Sequence, residues 1–111
     1  MRTSSPKNSR EVIWTRHAVG KMRQYNLSES RLKSLLRNPV RREQGIVPGT
    51  VALMQPAGTK RPTEIWLMYQ YLGPVKKIIT AWRYPGISQK KEIPIPDEIR
   101  DFIRNNETQN Y

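Results

Sequence analysis

The stretch EIWLMYQYL at residues 64–72, the turn dipeptide Gly73-Pro74 and the stretch VKKIITAWRY at residues 75–84 decide the fold. Both stretches are rich in β-branched and aromatic residues and flank a short turn, which predicts two antiparallel strands. In the first stretch the alternating sets are Ile65, Leu67, Tyr69 and Tyr71 on one face and Trp66, Met68, Gln70 and Leu72 on the other. Because both faces are largely apolar, this strand should lie in the interior of a sheet.

Two shorter runs before this pair predict two more strands, at Val40–Val47 and Thr50–Gln55. The breaks after them, Pro48-Gly49 and Pro56-Ala57-Gly58, are short. Short connections join antiparallel neighbours, so the sequence predicts a four-stranded antiparallel sheet.

Capping signals on both sides of the strands predict three helices. Thr15 can cap a helix that runs to about Tyr25, and Ser28 can cap a second helix that ends at Asn38-Pro39. A third helix is expected at about Pro96–Asn105. We therefore predict an α+β fold in which an N-terminal helical hairpin and a C-terminal helix pack on one side of the sheet and leave the other face or its rim for a ligand.

The length and composition limit the organisation and the kinds of site. The 111 residues suffice for one core, so we expect a flexible basic tail at 1–10, a single domain at 11–105 and a polar tail at 106–111. There is no cysteine and one histidine, which argues against disulfides and against a metal site, and no cofactor motif is present. No signal peptide or membrane-spanning run is present, so we expect a cytoplasmic protein without a membrane partner.

The positive charge is the strongest compositional signal. The chain has 20 Lys and Arg against 9 Asp and Glu, a formal net charge of +11. Residues 1–47 hold 11 basic and 3 acidic residues (+8), whereas residues 48–111 hold 9 and 6 (+3). A basic surplus attracts polyanions and gains affinity by releasing counterions, so we expect a nucleic-acid partner, RNA before DNA.

His17 is the candidate proton-transfer group. It lies in the first turn of the first helix beside Arg16, with Lys21 and Arg23 in the following turns. A helix N-terminus and neighbouring cations disfavour imidazolium, so the pKa of His17 should be lowered. An imidazole can move the 2′-hydroxyl proton in metal-independent RNA cleavage while the three cations hold phosphate. The alternative is a structural histidine that hydrogen-bonds to the sheet.

Arg83 is the candidate for stabilising charge on a phosphate. It stands between Trp82 and Tyr84 at the end of the last strand, where a guanidinium can bind phosphate and a ring can stack on an unpaired base. Alternation along the strand should point Arg83 away from both rings, so Trp82 is expected in the core.

Further candidate RNA contacts flank the strands. Arg41 and Arg42 belong to a basic cluster, Arg37–Glu43, at the corner where the second helix passes into the first strand, although solvated surface charge is the commoner explanation for such a run. Gln55, Lys60 and Arg61 flank a Pro/Gly-containing loop that could close over a ligand.

The spacing of these residues resembles a known family. The matching segments are Ile13-Trp14-Thr15-Arg16-His17-Ala18, Lys21-Met22-Arg23, Tyr25-Asn26-Leu27-Ser28 and Arg37-Asn38-Pro39. Over roughly residues 12–86, this pattern resembles the bacterial and phage proteins called domain of unknown function 4258. That family looks related to the superfamily of barnase, EndoU, the colicin nuclease domains and the RelE toxins. The resemblance implies helices on a four-stranded antiparallel sheet, metal-independent RNA cleavage, and roles for His17, Arg23 and Arg83.

Three functions are consistent with these residues. The first is an RNA-acting domain, a RelE-like or barnase-like ribonuclease toxin without a metal or other cofactor, in which His17 and Arg83 are catalytic. The second is a nucleic-acid-binding module that uses the same cations without cleavage. The third is an interaction or ribosome-associated protein, with an acidic antitoxin or the ribosome as partner.

Overall fold

Side-chain caps fix the two N-terminal helices in the computed structural model, which describes residues 6–105. Helix α1 spans Arg16–Gln24, and Thr15 Oγ1 accepts a hydrogen bond from the Ala18 amide at 3.1 Å. Helix α2 spans Glu29–Arg37 and is capped by Ser28. Between them Asn26 adopts a positive φ of 54°, a conformation that asparagine tolerates better than most residues. Both predicted caps are confirmed, so the hairpin is encoded locally.

The strands form one mixed sheet of five. Their bounds are Val12–Trp14 for β1, Arg41–Gln44 for β2, Thr50–Pro56 for β3, Thr63–Leu72 for β4 and Val75–Pro85 for β5. The order across the sheet is β1-β5-β4-β3-β2. Strand β4 is therefore the middle strand, and the interior position predicted from its two apolar faces is confirmed.

The predicted four-stranded antiparallel sheet is wrong in one respect, because β1 adds a fifth strand. β1 runs parallel to β5, with Trp14 opposite Ile78, while every other pair of neighbours is antiparallel. Trp14 is the last residue of β1, and its side chain is buried together with the apolar side chains of α1. The general α+β class holds.

Helices cover both faces of the sheet, which corrects the expectation that all helices lie on one side. On the first face α1 and α2 bury apolar side chains such as Met22 and Leu32 against β4 and β5. On the second face helix α3, Asp97–Asn105, buries Ile99 and Ile103 against Trp66 and other residues of β3, β4 and β5. A strand that is apolar on both faces needs a cover on each.

A β-bulge in β5 lies at the edge of the sheet where α1 comes within reach of α3. Met68 pairs with Thr80 and Tyr69 pairs with Ile78, so Ile79 has no opposite residue. The extra residue leaves Ile79 in the α3-side core, and Thr80 faces the same side because it pairs with Met68. Since β1 ends at Trp14, α1 packs along β5 beyond it and can reach α3 at this edge.

The predicted tails are described only in part. Residues 1–5 and 106–111 lie outside the described residues. In the remainder of the N-terminal segment, Asn8 Oδ1 accepts from the Trp14 amide at 2.8 Å. Ser9 Oγ accepts from the Glu11 and Val12 amides, so Ser9 binds the start of β1 and Asn8 binds its last residue.

Candidate nucleic-acid interface

His17 connects α1 to the sheet and to α3. Its Nε2 lies 3.0 Å from Thr80 Oγ1. Its ring stacks on Phe102 with the centroids 3.9 Å apart and the planes 8° apart. The imidazole is therefore held at the seam between two helices, which is the structural role that the sequence left open as the alternative to catalysis.

The pKa of His17 is lowered to about 4. Burial is the largest cause, the positive charge of Lys21 acts in the same direction, and Glu98 opposes both. The predicted lowering is confirmed, but burial against α3 could not be inferred from α1 alone. At neutral pH the ring is uncharged.

Lys21 and Arg83 point to different parts of the molecule. Lys21 Nζ lies 2.8 Å from Glu98 Oε1, so it ties α1 to α3 next to His17. Arg83 donates from Nε to the Tyr25 carbonyl at 2.7 Å and from Nη2 to the Asn26 carbonyl at 3.0 Å, which satisfies the C-terminal end of α1.

The two candidate catalytic residues are not brought together. The Tyr25 and Asn26 carbonyls that Arg83 binds lie about 12 Å along the helix axis from His17, because an α-helix rises about 1.5 Å per residue. Arg83 lies opposite Ile65 of β4, on the face of the sheet that α1 and α2 cover, which we call the α1/α2 face. Thr80, the partner of His17, faces α3 on the other side. Arg23 lies with Arg83 at the C-terminal end of α1, in the lining of one cavity.

Arg41 belongs to a hydrogen-bonded network on the α3 side. Its guanidinium lies over the Trp66 ring, 4.9 Å from the centroid, and it binds Glu43 and the Ser88 hydroxyl. Ser88 in turn donates to the buried carboxylate of Glu64, which also accepts from Trp66 Nε1 at 3.0 Å. This network fixes the segment after β5 on the sheet.

The remaining predicted RNA contacts are scattered. Arg16 is exposed on α1, and Lys60 and Arg61 are exposed in the connection between β3 and β4. Gln55 donates to the Asn38 carbonyl at 3.0 Å and joins α2 to β3. Tyr84 is half-buried against the α3-side core.

Arg42 lies in a group of aromatic and basic side chains that sequence reasoning did not assemble. We call Arg42, Tyr69, Tyr71 and Lys76 the tyrosine surface. It occupies the end of the α1/α2 face near the turn between β4 and β5. Arg42 Nη1 donates to the Tyr69 hydroxyl at 3.0 Å, and Tyr69 donates to the Tyr71 hydroxyl at 3.1 Å. Lys76 Nζ lies 5.4 Å from the Tyr69 ring centroid.

Tyr71 is the exposed ring of this surface. It is 48% exposed, and the buried Tyr69 ring supports it edge to face with the centroids 5.2 Å apart. Hydrogen bonds from Tyr69 and Arg42 lower the pKa of Tyr71, and the charges of Arg42 and Lys76 act in the same direction. Burial raises the pKa of Tyr69. A fixed ring between cations can stack on a base while the cations contact phosphate.

A basic groove of about 940 Å³ adjoins the tyrosine surface, and Lys76 is common to both. Arg10, Lys33, Arg37 and Lys76 contribute positive charge to its lining, and Glu11 contributes one negative charge. Lys33 also binds Glu29 at 2.8 Å. Together the groove and the tyrosine surface form a basic area with an aromatic ring at its edge.

A local signal for the tyrosine surface exists in the sequence. Tyr69 and Tyr71 share one face by alternation, and Lys76 follows closely after the Gly73-Pro74 turn. Arg42 lies on β2 and reaches Tyr69 across β3, so its place depends on sheet order.

Comparisons with protein-family models, with curated proteins and with solved structures gave no match. The family resemblance therefore stays a prediction. Within residues 6–105 no three metal-ligating side chains cluster. None of the helices in that range has the length and apolar character to cross a bilayer.

Proposed function

We propose that this chain is a cytoplasmic protein that binds single-stranded RNA through the tyrosine surface and the adjoining groove. The observation that carries the proposal is the half-exposed Tyr71 ring, which packs edge to face on Tyr69 while Arg42 and Lys76 contact Tyr69. Bases must be unstacked to reach such a ring, and for this reason the proposed ligand is a single strand.

The charges around the ring support a phosphate-bearing ligand. Lys76 links Tyr71, its cross-strand partner, to the groove that Arg10 and Arg37 line. A strand whose base stacks on Tyr71 would therefore pass its backbone phosphates toward cations on either side. Each neutralised phosphate releases counterions, so the affinity should fall steeply with salt.

The contacts of His17 and Arg83 favour RNA binding without cleavage. His17 uses Nε2 toward Thr80 and stacks on Phe102, on the opposite side of the sheet from the tyrosine surface. Arg83 serves the C-terminal end of α1. A RelE-like or barnase-like nuclease with an antitoxin or the ribosome as partner remains a prediction, and incubation of the RNA with protein in EDTA tests it.

Two substitutions separate stacking from charge in an anisotropy titration with a short labelled RNA at several salt concentrations. Tyr71→Leu should weaken binding by about 1–3 kcal/mol, the value of one stacked base, and leave the salt slope unchanged. Lys76→Gln should reduce the slope of log affinity against log salt by about 0.7, the value for one phosphate contact on a single strand.

The matched controls are Tyr71→Phe, which keeps the ring, and Arg104→Gln, which removes an exposed charge on α3. Both should bind within about twofold of the wild type, well below the stacking effect. Equal losses for Lys76→Gln and Arg104→Gln would show that only net charge matters and would refute the proposal. Equal affinity for the DNA of the same sequence would contradict the preference for RNA.

A further inference from the structure

A cavity of about 520 Å³ lies at the other end of the α1/α2 face from Tyr71. The last turn of α1, the first turn of α2 and the connection between β3 and β4 enclose it. Its apolar wall includes Val19, Met22, Leu27 and Ile65. Arg23, Arg31 and Arg83 line the same cavity, so an apolar wall meets three guanidinium groups.

Arg31 lines this cavity and is held in place by the backbone. Its Nη2 donates to the Pro56 carbonyl at 2.7 Å, which fixes the guanidinium. Its Nε is buried and has no hydrogen-bond partner within the part of the chain that the structure describes. Arg31 lines the cavity, so an anion bound there would offset the positive charge of its guanidinium.

The other charged groups leave the cavity positive. Arg83 is fixed in place by the carbonyls of Tyr25 and Asn26. Glu29 also lines the cavity, but its Oε2 lies 2.8 Å from Lys33 Nζ, which offsets its charge. Guanidinium groups that are already oriented bind phosphate with little loss of side-chain freedom.

We propose that this cavity binds a nucleoside monophosphate, with the phosphate on Arg31 and Arg83 and the base against the apolar wall. The volume lies within the range of small-molecule sites, which combine a mostly apolar lining with a few polar anchors. The nucleotide could be a free one or the terminal nucleotide of a strand, because both present the same chemistry. The proposal does not depend on RNA binding at the tyrosine surface, since the two sites share no residue.

Calorimetric and NMR titrations of the full chain with AMP, adenosine and inorganic phosphate test the proposal. AMP should bind more tightly than either fragment and should shift the amides of Leu27 and Ala57. Arg31→Gln should weaken AMP about tenfold or more, as expected for a lost hydrogen bond to a charged group. Arg16→Gln, an exposed change at the far end of α1, should leave AMP binding unchanged.

Oligonucleotides with and without a 5′-phosphate identify the source of the ligand. Tighter binding of the phosphorylated strand than of the unphosphorylated one, with the difference lost in Arg31→Gln, would assign the site to a strand end. Equal binding of the two strands would assign it to a free nucleotide. The proposal is overturned if AMP does not bind at millimolar concentration, if phosphate binds as tightly as AMP, or if Arg31→Gln and Arg16→Gln behave alike. Tyr71→Leu should not change AMP binding, so failure here is distinguishable from failure of the RNA proposal.

Discussion

Replacing His17 with glutamine should reduce the loss of stability that the wild type undergoes on acidification. The pKa of His17 is about 4 in the folded protein, against an ordinary value of 6.5. The unfolded chain therefore binds the proton first, and the free energy of unfolding falls as the pH drops from about 6.5 to about 4. Above about pH 6.5 His17 is neutral in both the folded and the unfolded state, so its contribution to the free energy of unfolding no longer changes with pH.

The magnitude follows from the size of the shift. A difference of about 2.5 pH units corresponds to about 3.4 kcal/mol when each unit is worth about 1.36 kcal/mol. The ring is only partly buried, so solvent screening reduces this figure, and we expect about 2 kcal/mol. The contacts with Thr80 and Phe102 are the structural origin of the effect, because they hold the ring in its neutral form.

Urea unfolding measures this difference, with the fluorescence of the buried Trp14, Trp66 and Trp82 as the signal. The wild type should lose about 2 kcal/mol more than His17→Gln between about pH 7.5 and about pH 4.5. Carboxylates that titrate in this range are present in both proteins and largely cancel in the comparison. Equal losses in the two proteins would mean that the imidazole titrates as in water, and would refute its burial at the seam.

Three substitutions test the packing around the sites by the same assay. Glu64→Gln should cost about 1–3 kcal/mol, because it puts an amide where a buried carboxylate accepts from Ser88; an unchanged midpoint would contradict the network. Thr15→Ala should cost about 1–2 kcal/mol through the lost α1 cap, and a helix content and stability equal to wild type would argue against that role. Gly45→Ala should cost about 1–3 kcal/mol, since a Cβ there would overlap Thr50. An unchanged stability would contradict the close contact between Gly45 and Thr50.

Local signals explain why the helices and the central strand could be predicted. Thr15 and Ser28 cap their own helices within four residues, so no distant contact is needed to define them. The two apolar faces of β4 report burial on both sides. Each apolar face requires a cover, and α3 covers the face that the N-terminal hairpin leaves open.

Non-local contacts explain what could not be predicted. β1 has three residues and forms only because Val12–Trp14 pairs in parallel with β5 more than sixty residues later. The partners of His17 come from β5 and α3, so its sequence neighbours could not distinguish a catalytic ring from a structural one. Arg42 looks the same as Arg41 in the sequence, yet alternation sends Arg41 to Trp66 and Arg42 to Tyr69.

Amide chemical shifts on addition of a short single-stranded RNA would locate the strand on the protein. If RNA binds at the tyrosine surface, the shifts concentrate at Arg42, at Tyr69–Lys76 and along the groove side of α2, with α3 unchanged at physiological salt. Shifts concentrated on α3 and around His17, or shifts spread over all exposed basic residues, would contradict RNA binding at this surface.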